Sequence, residues 1–369
     1  MTGRIRKMFP GGNTSEGFYS YYPFLLDKGT NRTFVIKGGP GVGKSTLMKK
    51  VGKKMVEQGY DVEFHYCSSD SNSVDGIAIE QLGIVMVDGT APHIIDPQYP
   101  GGLDEIINLG EFWDLDNMQN NREKIISCTK QVSRCFARAY SYLKAARFIA
   151  DNISAVYQMS MNYVGVNRIA GIFQDILNDT YNKGRIGKER HLFSCAYTPE
   201  GFIDHTDSIL QDSVKVYYIE GWMGTGKTTL MSKIAASAIE KGLDVEIYHT
   251  PLIPSKIGTI FIKDLNMALT TSKSFKNRHE EAIDLNQFLN RKVIEAYKEV
   301  IEKDNALLTE LISMGISNIR QAKAEHDVLE NYYIPNMNFA AADDKSEEIL
   351  KRVLNLAERN MSTVSGRHH

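Results

Sequence analysis

Two segments of this chain combine the residue types and spacing needed to hold a phosphate chain. The first reads Gly38-Gly39-Pro40-Gly41-Val42-Gly43-Lys44-Ser45-Thr46 and the second Gly221-Trp222-Met223-Gly224-Thr225-Gly226-Lys227-Thr228-Thr229. Both satisfy G-x-x-x-x-G-K-[S/T] without a mismatch, and they lie 183 residues apart. Glycines let the backbone N–H groups turn inward on an anion, the lysine reaches the β- and γ-phosphates, and the Ser or Thr hydroxyl ligates Mg2+. Such a loop works where a buried strand enters it and a helix leaves it, because the helix N-terminus adds free N–H groups and a favourable dipole. Apolar runs precede both loops (Thr33-Phe34-Val35-Ile36 and Val216-Tyr217-Tyr218-Ile219), and helix-forming stretches follow at 46–58 and 229–241. One match can arise by chance in a glycine-rich turn, but two in matching context point to nucleoside triphosphate bound at both loops.

A triphosphate site also needs an acid at the end of a second buried strand to hold the metal's water shell. Ile84-Val85-Met86-Val87-Asp88 supplies it in the first half, so Lys44 and Asp88 are the expected catalytic residues. The expected metal ligands are Ser45, Asp88 and Thr228. At the position of Asp88 the second half has Thr271, with Asp264 as a possible substitute on another strand, so its loop is expected to bind nucleotide with poor turnover. Asp70 and Asp75 also lack acidic counterparts, and His93 stands beyond the strand that ends at Asp88. Solvated loop acids and an ordinary polar histidine are the simpler readings of these three. Gly89 stands where many ATPases carry a water-activating glutamate, and Glu80 is a weak candidate because Lys263 replaces it in the other half. Arg185 and Arg190, in a basic cluster at the junction of the halves, are candidates to neutralise a transferring phosphoryl group.

Positions 34 onward superpose on 217 onward without a gap for some fifty residues, and most identities (Leu47/Leu230, Met48/Met231, Asp61/Asp244, Glu63/Glu246) lie outside the loops. This is an internal duplication. Upstream, Thr14-Ser15-Glu16-Gly17-Phe18 matches Thr198-Pro199-Glu200-Gly201-Phe202, read as a strand followed by a helix capped by its Thr. The expected boundaries are therefore 1–189 for the first repeat, with a helical section at 114–182, and 190–369 for the second, with a helical section at 284–331. Asp114 and Asp284 are expected to open these sections, and a last helix falls at 345–359. Short β-rich runs alternating with helices predict an α/β fold: two duplicated P-loop domains, each a mostly parallel sheet flanked by helices.

Bulk properties exclude several classes. With 42% hydrophobic and 24% charged residues and a net charge of −2, the chain reads as globular and has no overall attraction to nucleic acid. No run is long and apolar enough for a membrane span, and its four cysteines form no C-x-x-C pair, so a reducing cytoplasm is expected.

On its two loops and the Asp88 strand, the chain resembles the tandem P-loop ATPases of bacteria that are described only as ATP-binding proteins. The resemblance spans both halves and implies ATP and Mg2+ at the two loops, without naming a substrate. No N-K-x-D stands downstream to read guanine, and no L-S-G-G-Q segment marks a transporter ATPase. Partitioning ATPases place an extra lysine after the first loop glycine, where this chain has Gly39 and Trp222. The leading expectation is an ATPase that uses hydrolysis in the first repeat for a conformational switch. The alternatives are a small-molecule or nucleotide kinase, with residues 91–110 as a substrate lid, and a nucleotide-gated binding module for a protein or nucleic acid. The second alternative draws on residues 114–190, where twelve Lys/Arg face seven Asp/Glu.

Overall fold

The structure, a computed structural model, describes residues 2–25, 29–91, 94–211 and 213–365. The first half of the chain runs β1 (Ile5–Met8), β2 (Gly11–Thr14), β3 (Gly17–Ser20), β4 (Arg32–Lys37), α1 (Lys44–Glu57), β5 (Val62–Tyr66), β6 (Val74–Ile79), β7 (Ile84–Asp88), β8 (Asp104–Asn108), α2 (Leu115–Asn120), α3 (Arg122–Ser160) and α4 (Tyr163–Asn178). The second continues β9 (Glu189–Phe193), β10 (Cys195–Thr198), β11 (Gly201–Asp204), α5 (Thr206–Ile209), β12 (Lys215–Glu220), α6 (Lys227–Glu240), β13 (Val245–His249), β14 (Ile257–Ile262) and β15 (Met267–Thr270). It closes with β16 (Glu281–Asp284), α7 (Arg291–Ala296), α8 (Lys298–Tyr333) and α9 (Phe339–Ser365).

Two six-stranded sheets share one strand order, β1-β5-β6-β7-β4-β8 and β9-β13-β14-β15-β12-β16. Pairing is parallel except around β6 and β14, each antiparallel to both neighbours. The reason is connection length. Only a one-turn 3-10 segment joins β6 to β7 or β14 to β15, and a parallel pair needs a crossover of a dozen residues or more. The edge strands β8 and β16 carry little apolar pattern (Asp104-Glu105-Ile106-Ile107-Asn108 and Glu281-Ala282-Ile283-Asp284) and were not among the expected strands.

The matching Thr14 and Thr198 segments are hairpins, not helix starts. Thr14 Oγ1 accepts from the Glu16 N–H and donates to the Gly17 carbonyl, at 2.9 and 2.8 Å. Thr198 does the same toward Glu200 and Gly201, at 3.2 and 2.9 Å. The side-chain bond that caps a helix equally closes a turn. Gly17 and Gly201 then take φ of 93° and 119°, which ends any helical reading.

The chain divides into two compact units, neither of them continuous. One comprises Met1–Pro10, Ser20–Phe136 and Ile319–His369; the other comprises Gly11–Tyr19 and Ala137–Asn318. The repeat alone implied the continuous halves 1–189 and 190–369. In the first unit, α9 completes the core: Ile349, Val353 and Ala357 join Phe34, Met48, Val51 and Ile77. In the second, α4 does so, with Val166, Ala170, Phe173 and Leu177 joining Leu230, Ile234 and Ile260. The 39 residues of α3 and 36 of α8 span roughly 58 and 54 Å at about 1.5 Å per residue. Each of these helices begins in one unit and ends in the other. Asp114 caps α2 and Asn290 caps α7. Asp284, expected to match Asp114, instead matches Asn108: each begins a short 3-10 turn and accepts from the N–H two residues on. Among the described residues no helix is long and apolar enough to cross a membrane.

Candidate functional site

Each loop joins the strand next to one edge of its sheet, β4 or β12, to a 14-residue helix, α1 or α6. In the first, Gly38, Gly41 and Gly43 take φ of 150°, 69° and 92°; in the second, Gly224 and Gly226 take 84° and 92°. A Cβ at Gly38 would stand 2.7 Å from Val42 Cγ2, and one at Gly221 would stand 2.4 Å from Thr225 Oγ1. The fifth residue of each loop fills the hollow under its first glycine, and both fillers are buried. Leu47, Met48, Val51 and Met55 on α1, with Leu230, Met231 and Ile234 on α6, anchor the helix starts in the cores.

Lys44 folds back over its loop. Its Nζ donates to the Gly38 and Gly39 carbonyls at 2.8 and 2.7 Å, and it stands 3.6 Å from Asp88 Oδ2. Asp88 ends β7, whose residues pair with β4. Thr90 locks it to the loop: the Thr90 N–H donates to Asp88 Oδ1 at 2.8 Å while Thr90 Oγ1 donates to the Gly38 carbonyl at 3.0 Å. Ser45 Oγ accepts from the Val74 N–H at 3.0 Å, which ties the helix start to β6. Lys44, Ser45 and Asp88 thus converge on one sheet edge. A Cβ at Gly89 would lie 2.6 Å from Val35 Cγ1 and 2.9 Å from the Ile95 carbonyl oxygen, so no side chain fits directly after Asp88.

Asp75 is the residue that sequence reasoning undervalued. The register of β6 on β7 pairs Gly76 with Val87, so one step further Asp75 faces Asp88. Its carboxylate is buried and accepts from Tyr22 Oη at 2.7 Å. Burial above all, then the charge of Asp88, raises its pKa to about 7 against the hydrogen bonds from Tyr22 and Cys67. Asp70 closes its own loop, accepting from Ser73 Oγ at 2.8 Å and from the Asn72 N–H. Pro92 and His93 lie outside the described residues.

The second loop repeats the frame with other chemistry. Lys227 Nζ donates to the Gly221 and Trp222 carbonyls, and Thr228 Oγ1 accepts from the Ile257 N–H at 3.2 Å. The position of Asp88 is Thr271, which donates to the Gly258 carbonyl at 3.1 Å, and Gly258 itself stands where Asp75 does. Among the described residues no carboxylate pairs with Lys227. Burial, then the charge of Lys256, lowers its pKa to about 8. Asp264 does not substitute for the missing acid. It follows β14 at the edge away from the loop, held by Lys183 Nζ at 2.5 Å and by the Asp244 N–H at 3.1 Å. Glu80 likewise follows β6 at the far edge. The junction arginines are spent elsewhere: Arg185 grips Asp244 through two bonds of 2.7 and 2.9 Å, and Arg190 meets buried Glu246 at 3.3 Å.

A tyrosine from the end of a long helix rests on each loop. A Cβ at Gly39 would lie 2.7 Å from the Tyr333 ring and 3.1 Å from that of Trp113, whose centroids are 5.6 Å apart. In the second unit Tyr157 stacks on Trp222 at 5.9 Å and 12°, and Tyr163 Oη donates to the Gly224 carbonyl at 3.2 Å. The chain's two tryptophans therefore meet equivalent tyrosines from different positions, one beside its loop and one within it. The signal was present in the sequence: Tyr157-x-x-x-Met161-Asn162 recurs as Tyr333-x-x-x-Met337-Asn338 at an offset of 176 residues.

The proposed lid at 91–110 is pinned where it is described. Lys37 Nζ donates to the Gly89 and Ile95 carbonyls and to Asp96, and Asp104 accepts from the N–H groups of Gln98 and Tyr99.

Residues 20–79, which hold the first loop, match the family described as Nephrocystin 3, N-terminal. No curated protein matches the chain, and no solved structure does. The chain is a duplicated α/β protein with P-loop-like architecture, similar over its first loop to the N-terminal region of nephrocystin 3.

Proposed function

We propose that the protein is a Mg2+-dependent ATPase that turns over ATP at the first loop and holds nucleotide at the second with little turnover. The observation that carries this reading is the convergence of Lys44, Ser45 and Asp88, with Lys44 3.6 Å from Asp88. The residues present fit a hydrated magnesium ion. Asp88 Oδ1 is taken by the Thr90 N–H, which leaves Oδ2 for a metal-bound water. Ser45 Oγ, accepting one hydrogen bond from Val74, keeps a lone pair for the ion. When bound, the ion neutralises charge on the β- and γ-phosphates. Two of the three Lys44 protons go to loop carbonyls, and the third is available to a phosphate oxygen. The backbone N–H groups around Gly41 and Gly43 complete the cradle.

ATP is favoured over GTP because no guanine-reading segment is present. The contact of Tyr333 and Trp113 with Gly39 gives hydrolysis a mechanical outlet. Release of the γ-phosphate loosens the loop, and the end of α8 rests on it. A kinase reading has less support, since the described part of that segment is held by Lys37 at Ile95 and by Asp104 at Tyr99. The test is steady-state phosphate release from Mg·ATP by the full chain without an acceptor, beside GTP and EDTA controls. Release with ATP that EDTA abolishes is expected; tight ATP binding without release contradicts the ATPase reading.

A further inference from the structure

The loops share a backbone frame, so their surroundings compare position by position. The Val74 N–H bonds Ser45 and the Ile257 N–H bonds Thr228, which fixes the register of the two sites at 183 residues. At that register Asp88 becomes Thr271, Asp75 becomes Gly258, Asp70 becomes Ile253 and Ser73 becomes Lys256. All three acids around the first loop are gone, and a lysine has arrived directly before the residue that holds the Thr228 hydroxyl. Lys256 is exposed and close enough for its charge to act on half-buried Lys227. Other acids of that half are engaged by neighbours: Asp204 accepts from Ser272 Oγ at 2.7 Å, Glu220 pairs with Lys276 at 3.1 Å, and Asp264 is bound to Lys183 at the far edge of the sheet. A magnesium ion does not fit this donor set, because Ile253, Gly258 and Thr271 replace the acids and lysines adjoin both Thr228 and Ile257, which bonds its hydroxyl.

We propose that the second loop binds the phosphates of a nucleoside di- or triphosphate without a magnesium ion, Lys227 and Lys256 supplying the countercharge. This rests on the reading that both loops hold nucleotide. Two ammonium groups and a helix N-terminus balance a polyphosphate directly. A cation brought in with the nucleotide would meet Lys256 where the first site offers acids. The site therefore keeps its nucleotide when free magnesium falls, while the first site does not.

The experiment measures ATP binding by equilibrium dialysis on two full-length variants, each in Mg2+ and in EDTA. Lys44→Ala isolates the second loop and Lys227→Ala the first. The proposal expects Lys44→Ala to retain one ATP per chain, with affinity changing less than about threefold between the two conditions. Lys227→Ala should lose roughly tenfold or more in EDTA. Lys256→Ala, added to Lys44→Ala, should weaken binding roughly three- to tenfold, and exposure of this side chain makes the change safe for folding. Should Lys44→Ala perturb the fold, Trp113→Phe leaves Trp222 as the sole tryptophan, and its emission follows ATP at the second loop. Loss of tenfold or more in EDTA at the second loop overturns the metal-free proposal while leaving nucleotide binding intact. No binding to Lys44→Ala under either condition, with no Trp222 response, overturns the reading on which the proposal rests.

Discussion

Asp88 and Asp75 lie side by side on neighbouring strands in different surroundings. Asp88 is partly open, tied by Thr90 to the loop, and 3.6 Å from Lys44. Asp88→Asn keeps the shape and the Thr90 bond but removes the charge. Turnover is expected to fall roughly a hundredfold with most ATP affinity retained, read from initial rates and dialysis on one preparation. Asp75 is buried with Tyr22 and Cys67, and its pKa is raised from 3.8 to about 7. Its native state thus binds a proton that the unfolded chain releases above about pH 4. Its contribution to stability is full below the unfolded pKa and is lost as pH rises through about 7, by at most about 4 kcal/mol. Asp75→Asn should flatten that slope. Urea midpoints at about pH 5 and about pH 8 check this: wild type is expected to lose more stability between them than the variant, and equal losses contradict the burial argument.

At the scale of elements, the helices that complete each core come from the other half of the sequence. Ile349 and Val353 on α9 are wholly buried with Met48 and Val51 of α1. Ile349→Ala should destabilise the unit holding the first loop by about 2–5 kcal/mol, although the residue lies in the second repeat. Phe173→Ala on α4 should cost the second unit about 3–5 kcal/mol. Denaturant unfolding followed by Trp113 and Trp222 emission separately assigns each loss to its unit. Loop, strand and helix were legible in the sequence because the phosphate motif is local and the apolar runs of β4, β7 and β12 are strong. The hairpins at Thr14 and Thr198 were misread because a hydroxyl bonding a backbone N–H two residues on serves turns and caps alike. Edge strands β8 and β16 have too few apolar residues to announce themselves, and their pairing with β4 and β12 is long-range. The tyrosines on the loops were missed for the same reason: Tyr333 lies almost three hundred residues from Gly39 in the chain.

At the scale of the whole molecule, duplication has produced two frames with one strand order and different side chains around their loops. The exchange of α4 and α9 ties their folding together. Fragments 1–189 and 190–369 each lack the helix that covers their own sheet, so neither should give a cooperative unfolding transition alone, and mixing them should restore one. The central claim is that the first loop turns ATP over and the second does not. It is tested most directly by phosphate release from Mg·ATP in Lys44→Ala and Lys227→Ala, compared with wild type. The account predicts that Lys44→Ala loses roughly a thousandfold or more, whereas Lys227→Ala keeps turnover within about tenfold of wild type. Activity that survives Lys44→Ala and disappears in Lys227→Ala would contradict it.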